Sequence, residues 1–255
     1  MRVIFLASGS SGNAALIESG GRGVLLDAGI SARETLRRLV AVGASDVRIE
    51  ALLVTHEHVD HVRGARVLAR HLRIPVIATS GTLRAAEACL VDVPETIAIA
   101  RSERMGLAGM RVTAFATAHD AAEPVGYGFE NRHGRRAVIA TDTGVVTEAA
   151  AEALSGAHVV GIEANHDLDM LDRGPYPPFL KRRIASDRGH LSNKAAADAL
   201  GEIGWTGLAR VFALHLSEQN NTPQVARAAL GRALARTPDT ALTTVGRDGV
   251  TGCEV

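Results

Sequence analysis

The sequence predicts an α/β protein in which two β-sheets are sandwiched between helices, an αββα arrangement. Strand patterns dominate the start of the chain, and strands then alternate with helices in both halves. Sheets built in this way bury their outer faces under the helices. No linker, repeat or low-complexity stretch interrupts the 255 residues, so we expect a single domain spanning residues 1–255.

Each element of this arrangement is predicted from its own hydrophobic pattern and its flanking residues. Apolar or alternating runs predict strands at residues 3–6, 14–17, 24–27, 51–54, 75–77, 110–116, 127–130, 137–141, 158–163 and 211–214, with further β-segments at 241–245 and 251–255. Helical periodicity, often beginning at a Ser or Thr that can act as an N-cap, predicts helices at residues 31–42, 62–72, 79–90, 147–154, 192–203 and 222–234. Residues 165–190 are polar and rich in Pro, so we expect them to be irregular.

Composition excludes several classes of protein. The 28 Lys and Arg residues balance 28 Asp and Glu residues, and a net charge of zero does not favour a protein that coats nucleic acid or an anionic membrane. Cys89 and Cys253 are the only cysteines, which argues against a disulfide framework and excludes a zinc site built from cysteines. No apolar run reaches roughly 18 residues, and the N-terminal run is too short for a signal peptide, so we expect a cytoplasmic protein without membrane contact.

The densest group of polar side chains is the motif Thr-His-Glu-His-Val-Asp-His at residues 55–61, which follows a buried strand pattern and precedes a helix. In an extended loop His56 and His58 point to one side, whereas Asp60 and His61 can turn to the other side. One loop can therefore contribute ligands to two metal ions. Neutral imidazole and carboxylate groups suit Zn²⁺, Mn²⁺ or Fe²⁺.

Four further candidate ligands also follow predicted strands. They are Asp27, His119, Asp142 and His215, each at or just past the end of a strand pattern. Strand ends are rigid positions that converge on one edge of a sheet. The sequence therefore predicts that these four side chains meet the 55–61 motif.

This series of a strand-end Asp, His-x-His-x-Asp-His, a distal His, a distal Asp and a final His resembles the metallo-β-lactamase superfamily, and it spans residues 27–215. The resemblance implies the metallo-β-lactamase fold and a site for two divalent metal ions, Zn²⁺ or Mn²⁺. It assigns the first ion to His56, His58 and His119. It assigns the second ion to Asp60, His61 and His215, with Asp142 bridging both ions and Asp27 orienting a ligand through a hydrogen bond.

Further segments narrow the resemblance to one branch. They are residues 8–13 (SGSSGN), 119–127 (HDAAEPVGY), 163–167 (EANHD), 189–193 (GHLSN) and 216–221 (LSEQNN). Together they are similar to the YycJ-like, or WalJ-like, branch, which is related to tRNase Z and to PhnP-type phosphodiesterases. The resemblance implies an exonuclease that degrades DNA from 5′ to 3′, and it favours DNA over RNA as the substrate.

The reaction implied by this resemblance is hydrolysis of a phosphodiester bond by a hydroxide that bridges the two metal ions. Two ions lower the pKa of a shared water and stabilise negative charge on the phosphoryl oxygens. Asp60 or Asp142 would orient the nucleophile. In the related phosphodiesterases a Glu and a distant His act together near the leaving group, and Glu163 and His190 match that pair. The predicted catalytic residues are therefore Asp60, His190 as general acid, and Glu163 as its orienting partner.

A basic segment between the Glu163 and His190 motifs is predicted to bind the substrate. Residues 173–194 carry six basic residues and one acidic residue, Asp187, a local excess of +5. Within it, Lys181, Arg182 and Arg183 are candidates to hold a nucleic-acid backbone, and the alternative is a solvated basic helix face. The other predicted substrate contacts are Ser10, Asn13, His166, Ser192 and Asn193.

Three kinds of function stay open from the sequence. A metal-dependent nuclease is favoured by the basic segment and by the Glu163–His190 pair. A small-molecule phosphodiesterase, or an ester or thioester hydrolase of the same fold, is the alternative, because a fold alone does not specify a substrate. A non-catalytic metal-binding protein is disfavoured because the ligand series is intact. No protein partner is implied.

Overall fold

The computed structural model describes residues 1–203, 205–246 and 249–255, and it confirms the predicted αββα class. Over these residues fourteen strands form two sheets of seven strands each. The strands are β1 (Arg2–Ala7), β2 (Ala14–Ser19), β3 (Arg22–Leu26), β4 (Arg48–Leu53), β5 (Val76–Ala78), β6 (Thr96–Ala98), β7 (Arg104–Leu107), β8 (Met110–Ala116), β9 (Val125–Asn131), β10 (Arg136–Ala140), β11 (Val159–Glu163), β12 (Arg210–Leu214), β13 (Ala241–Thr244) and β14 (Thr251–Glu254). The first sheet has the order β14-β1-β2-β3-β4-β5-β6, and the second has the order β13-β12-β11-β10-β9-β8-β7.

Nine α-helices within the same described ranges accompany the sheets. They are α1 (Ala32–Ala41), α2 (Val59–Val62), α3 (Ala65–Leu72), α4 (Ser80–Ala85), α5 (Glu148–Leu154), α6 (Leu168–Arg173), α7 (Pro178–Ile184), α8 (Asn193–Ile203) and α9 (Pro223–Ala233). Single 3₁₀ turns at Glu87–Cys89 and Leu234–Arg236 follow α4 and α9.

Three apolar layers form the core. Between the sheets, Phe5 of β1 packs on Phe212 of β12 with ring centroids 4.9 Å apart. The outer face of the first sheet packs against α1 and α3, and the outer face of the second packs against α5, α8 and α9. Because the central strands are covered on both faces, strands such as β11 are buried at every position. Their sequences are therefore mostly apolar and do not alternate with polar residues.

The expectation that residues 165–190 are irregular is wrong, because α6 and α7 lie within them. The side chain of Asp167 accepts hydrogen bonds from the backbone N–H groups of Asp169 and Met170 and so caps α6. Pro178 begins α7, where a residue without an N–H group is tolerated. Helices of six and seven residues are too short to show a clear hydrophobic period, so the Pro residues dominated the prediction.

Several other element bounds differ from the prediction. The helix expected at 62–72 is divided at Gly64, where the chain passes so close to the Ile30 carbonyl that a Cβ atom would lie 2.2 Å from its oxygen. The helix expected at 79–90 leaves the α conformation after Ala85. Strands β6 and β7 were missed because they are short and partly exposed, with little apolar pattern.

The parallel strands of both sheets end at the candidate site. In the first sheet β3 runs parallel to β4, and in the second sheet β10, β11 and β12 run parallel to one another. Their carboxyl ends lead into Asp27, the 55–61 loop, Asp142, Glu163 and His215. This is the edge at which α/β sheets commonly form their sites. In the ranges that the structure describes, no helix is long and apolar enough to cross a membrane.

Candidate metal centre

Three histidines form the first cluster of the site. One ligand nitrogen each of His56, His58 and His119 lies within 4.8 Å of the others. His119 donates a hydrogen bond from Nδ1 to the backbone carbonyl of Gly189 over 2.9 Å. Because a carbonyl can only accept, the proton of His119 is on Nδ1, and its Nε2 atom offers a lone pair to the cluster.

Two histidines and two carboxylates form the second cluster. Ligand atoms of Asp60, His61, Asp142 and His215 lie within 4.8 Å of one another. His61 donates from Nδ1 to Oδ2 of Asp27 over 2.8 Å. Its Nε2 atom then lies 3.3 Å from Oδ2 of Asp142 and 3.6 Å from Oδ2 of Asp60. The hydrogen bond to Asp27 therefore directs Nε2 of His61 toward the cluster.

Asp142 lies between the two clusters. Its Oδ1 atom is 4.0 Å from Nε2 of His119, and its Oδ2 atom is 3.3 Å from Nε2 of His61. One oxygen of the same carboxylate thus approaches each cluster. A carboxylate in this position is able to bridge two ions.

The donor set fits divalent metal ions. Among the described residues, the Nε2 atoms of His56 and His215 are buried and have no hydrogen-bond partner. A buried polar atom without a partner costs free energy unless a ligand uses it. Burial also holds the pKa of His56 well below its ordinary value, so this imidazole is neutral and able to bind a cation.

The charges around the clusters also fit bound cations. Burial opposes positive charge on His61 and His215, but neighbouring carboxylates, with Asp142 acting on both, outweigh that effect. They raise the pKa of His61 well above its ordinary value and that of His215 to about 10. Such shifts show that the site concentrates negative charge, which divalent ions would balance.

Three site residues have a left-handed backbone. The φ angles are 59° at Asp27, 53° at Asp142 and 55° at His215. This conformation is uncommon for residues other than Gly and costs about 1–3 kcal/mol where the surrounding structure enforces it. Each of the three stands within two residues of the end of a parallel strand. The left-handed turn bends the chain there and places the side chain in the second cluster or, for Asp27, beside it.

Glu163 and His190 meet at the edge of the second cluster. His190 donates from Nδ1 to Oε1 of Glu163 over 2.8 Å, and Oε2 of Glu163 accepts from the backbone N–H of Thr143. Glu163 is fully buried, yet the charge and hydrogen bond of His190 outweigh burial and lower the pKa of Glu163 to about 2. The carboxylate in turn raises the pKa of His190 against the effect of burial. The pair therefore favours a protonated imidazole, as a general acid requires.

Ser10 and Asn13 of the β1–β2 loop have different environments. Asn13 is buried, its Oδ1 atom accepts from the backbone N–H of Gly9, and its Nδ2 atom lies 3.0 Å from Nε2 of His61. Its side chain therefore holds the loop against the second cluster. Ser10 is exposed and lines a recess beside His190.

Three other predicted substrate contacts do not line this recess. His166 is 1% exposed, and neither of its ring nitrogens has a hydrogen-bond partner among the described residues. Asn193 is 2% exposed and exchanges side-chain hydrogen bonds with Asn221. The hydroxyl of Ser192 accepts from the backbone N–H of Ala195 and so caps α8. The structure does not bring these three side chains to the recess beside His190.

The three basic residues that were predicted to hold a nucleic-acid backbone, Lys181, Arg182 and Arg183, lie on α7 and differ in their contacts. Lys181 donates to the backbone carbonyl of Asp172, and Arg183 forms an ion pair with Asp120 at 2.5 Å. Arg182 is exposed and forms no hydrogen bond or ion pair with the residues that the structure describes. The local positive excess that the sequence predicts is therefore partly neutralised, and Arg182 is the member of this trio whose charge is available to a substrate.

Sequence reasoning missed several residues that support the clusters. The Gly189 carbonyl orients His119, the Asp120 carboxylate lies 3.3 Å from Nε2 of His119, and Asn165 donates to the backbone carbonyl of His215. A backbone carbonyl has no signature in sequence. Asp120 directly follows a predicted ligand, and that adjacency is a signal that could have identified it.

A family model described as the beta-lactamase superfamily domain matches residues 22–216. The chain belongs to this superfamily. The matched range contains the whole ligand series from Asp27 to His215, and the expected fold family is confirmed. Together with the histidine and carboxylate clusters, membership identifies the chain as a metal-dependent hydrolase.

Two curated relatives match most of the chain. Exodeoxyribonuclease YycJ of Bacillus anthracis is 37% identical over 233 residues, which cover 90% of this chain and 87% of that protein. Exodeoxyribonuclease WalJ of Streptococcus pneumoniae is 34% identical over 235 residues, which cover 91% of this chain and 87% of that protein. These matches confirm the resemblance to the YycJ-like branch of the superfamily.

Solved structures share the superfamily fold at lower identity. YhfI of Bacillus subtilis, a metallo-β-lactamase fold protein, has a TM-score of 0.75 at 15% identity, and 99% of each chain is covered. The short form of human tRNase Z has a TM-score of 0.67 at 17% identity, and each chain is fully covered. This likeness shows the fold alone.

Proposed function

We propose that this superfamily member is an exonuclease that degrades DNA in the 5′-to-3′ direction. The observation that carries the proposal is the position of His190, which donates to Glu163 while its Nδ1 atom lies 3.8 Å from Oδ1 of Asp142. A protonated, oriented imidazole beside a metal centre is suited to protonate the leaving oxygen of a phosphodiester. The exodeoxyribonucleases among the relatives support DNA as the substrate.

In this proposal the clusters bind two divalent ions, Zn²⁺ or Mn²⁺. His56, His58 and His119 would hold one ion and Asp60, His61 and His215 the other, and Asp142, which approaches both clusters, would contribute to both. When bound, the ions supply a water of lowered pKa and stabilise the charge that grows on the phosphoryl oxygens.

Three side chains, those of Asp60, His190 and Glu163, guide the proton transfers. Asp60 accepts a hydrogen bond from the attacking water and orients that water in line with the P–O3′ bond. The carboxylate takes a proton from the water as it attacks and then passes this proton to solvent. As the water oxygen bonds to phosphorus and the P–O3′ bond breaks, His190 donates the proton on Nε2 to the leaving 3′ oxygen. Glu163 retains its hydrogen bond to Nδ1 and so holds the ring in place, and His190 then regains a proton from solvent. The products are a 3′-hydroxyl on the released nucleotide and a 5′-phosphate on the shortened strand.

Contacts at the border of the site would hold the DNA backbone. The exposed Arg182 of α7 is suited to bind a phosphate, because no other described residue neutralises its charge. Since the net charge of the chain is zero, binding depends on this border and on the ions rather than on the whole surface.

The proposal is tested with labelled 5′-phosphorylated duplex DNA, single-stranded DNA and RNA, each with Mn²⁺ or Zn²⁺. We expect the wild-type protein to release nucleotides from the 5′ end of DNA. His58→Ala should lose this activity, whereas His133→Ala, which removes an exposed histidine of the β9–β10 turn, should retain it.

Other outcomes of the same assay would overturn the proposal. Cleavage of RNA alone would exclude DNA as the substrate, and internal cuts would exclude an exonuclease. Hydrolysis of bis-p-nitrophenyl phosphate without any cleavage of nucleic acid would support the small-molecule phosphodiesterase instead.

A further inference from the structure

A recess lies beside His190, the proposed general acid. It has a volume of about 200 Å³ and is formed by segments that are distant in sequence. Ser10 comes from the β1–β2 loop, Ser217 from the loop after β12, and Tyr176 from the segment that leads into α7. His190 lines the same recess.

We propose that this recess binds the terminal nucleotide of the strand being cleaved, with its base unstacked from the duplex. The proposal rests on the proposed nuclease function and specifies how that function recognises a DNA end. It assigns a binding role to Tyr176, and it requires the end of the duplex to open by one nucleotide before each cut.

The position of His190 decides which nucleotide occupies the recess. In the proposed reaction the proton of His190 goes to the leaving 3′ oxygen, and that oxygen belongs to the nucleotide that is released. The released nucleotide therefore lies on the His190 side of the scissile phosphate. The recess is the concave surface on that side, since His190 itself forms part of its lining.

The size of the recess limits what it can hold. Pockets for drug-sized ligands typically measure roughly 300–1,000 Å³. A recess of about 200 Å³ is smaller and suits one base with its sugar rather than a stacked base pair. A duplex end would therefore enter only after its terminal base has left the stack, which costs less at an end than within a duplex.

The lining is suited to a base of any identity. Tyr176, Leu180 and Ile184 supply one aromatic and two aliphatic side chains, whereas Ser10 and Ser217 supply hydroxyl groups. Stacking of a base on an aromatic side chain is tolerant of sequence, because every base has a π-face. An exonuclease that advances along DNA needs this tolerance.

The charges in the recess favour a neutral nucleoside over an additional phosphate. Arg183 and Asp120 both line it, and they pair with each other at 2.5 Å. The charge of His190 is likewise balanced by Glu163 at 2.8 Å. With both positive groups compensated, the described residues that line the recess offer no free cation to a 5′-terminal phosphate. Ends with a 5′-hydroxyl and ends with a 5′-phosphate should therefore be used alike.

An aromatic residue of α7 that lies outside the lining of the recess provides a matched control. Phe179 is 67% exposed and does not line the recess, although it is an aromatic residue only three positions from Tyr176. Phe179→Ala removes an aromatic ring from the same segment without altering the proposed binding surface. Tyr176→Phe retains the ring and removes only the hydroxyl.

The first test compares two duplexes that differ only in the 5′-terminal nucleotide of one strand. One carries an ordinary nucleotide, and the other carries an abasic tetrahydrofuran unit that keeps the 3′ oxygen and the scissile phosphate. We expect kcat/KM for the first cut to be about 5- to 150-fold lower with the abasic unit, the range for loss of one stacked base. Equal kcat/KM for the two duplexes would overturn the assignment of the recess.

The second test locates the effect at Tyr176. Tyr176→Ala should lower kcat/KM for the ordinary duplex and leave the abasic duplex unchanged, whereas Tyr176→Phe and Phe179→Ala should preserve the wild-type ratio. The same ratio should appear in the affinity of both duplexes measured by fluorescence anisotropy in EDTA, without turnover. A Tyr176→Ala variant that keeps the full preference for the ordinary duplex would contradict the proposal.

The remaining comparisons distinguish a failure of the recess proposal from a failure of the proposed nuclease function. Equal rates on 5′-hydroxyl and 5′-phosphate ends support a neutral recess, and a strict requirement for the phosphate would overturn it. If the wild-type protein cleaves neither duplex, the nuclease proposal itself fails. If it cleaves both equally, the nuclease proposal stands and the recess proposal fails.

Discussion

Glu163 accepts a hydrogen bond from His190 over 2.8 Å, and the same oxygen, Oε1, lies 3.0 Å from Nδ1 of His215. One carboxylate oxygen therefore orients both the proposed general acid and a proposed metal ligand. Because each Nδ1 atom faces this acceptor, each Nε2 atom is left for the reaction or for an ion. The acid and the second cluster are thus coupled through a single buried charge.

Removal of the His190 imidazole should slow the reaction without reducing the metal content of the protein. We expect His190→Ala to lower the single-turnover rate on DNA by about 10²- to 10⁴-fold, the usual contribution of a general acid. Metal content, measured by plasma mass spectrometry after dialysis, should equal that of the wild type. A variant that cleaves DNA at the wild-type rate would exclude His190 as the acid.

Loss of the charge on Glu163 should affect both of its partners. Glu163→Gln is expected to weaken metal binding by about 10- to 100-fold, because the charged acceptor that orients His215 is replaced by a weaker, neutral one. It should also lower the rate, since His190 loses the carboxylate that keeps it protonated.

A double-mutant cycle checks this coupling. In the His190→Ala background, Glu163→Gln should cost less in rate at saturating metal than it costs in the wild type. Fully additive effects on the rate would show that Glu163 acts on the second cluster alone.

The stability of the metal-free protein should depend on Glu163 at low pH. The pKa of Glu163 is lowered from 4.5 to about 2 in the folded protein, with His190 as the main stabilising partner against the effect of burial. A lowered pKa contributes stability that is present above pH 4.5 and is lost as the pH falls through about 2.

Thermal unfolding of EDTA-treated protein across this pH window measures the effect. The difference in Tm between the wild type and Glu163→Gln should shrink as the pH falls from 4.5 toward 2. A difference that stays constant across this window would contradict the lowered pKa.

Asp27, which lies outside the clusters, should control metal affinity through its hydrogen bond to His61. Asp27→Asn weakens the acceptor that fixes the His61 proton on Nδ1, so we expect about 10- to 100-fold weaker binding of Zn²⁺ by competition with a chelator. Asp239→Asn, at an exposed position, is the matched control and should bind like the wild type. Equal affinity of both variants would remove Asp27 from the metal centre.

The sequence predicted the layers of the fold because its central strands are short, apolar and buried on both faces, as in β11. It predicted which residues meet in the two clusters because His56 to His61 lie in one loop and the remaining members follow the ends of predicted strands. The close approach of Asp142 to both clusters depends on how two sheets pack, which no local pattern encodes.

The burial and pairing of the polar residues around the site could not be predicted from the sequence, for physical reasons that particular residues show. Asn13, His166 and Asn193 look like substrate contacts in sequence, yet each is buried in the fold. Arg183 looks like a free cation, yet Asp120, which lies 63 positions away, neutralises it. Pairing between distant segments decides whether a polar side chain is available, and composition alone does not reveal that pairing.

The left-handed backbone at Asp142 should affect the free energy of unfolding of variants at this position. Asp142→Ala and Asp142→Gly both remove the carboxylate, but only Gly adopts a φ of 53° without a steric penalty. In EDTA we therefore expect the Gly variant to be more stable than the Ala variant by about 1 kcal/mol, measured by urea unfolding. The same pair at the exposed helical residue Glu152 should show the opposite order, with Ala more stable by about 1 kcal/mol. An Ala variant at residue 142 that matches or exceeds the Gly variant would show that the backbone there carries no strain.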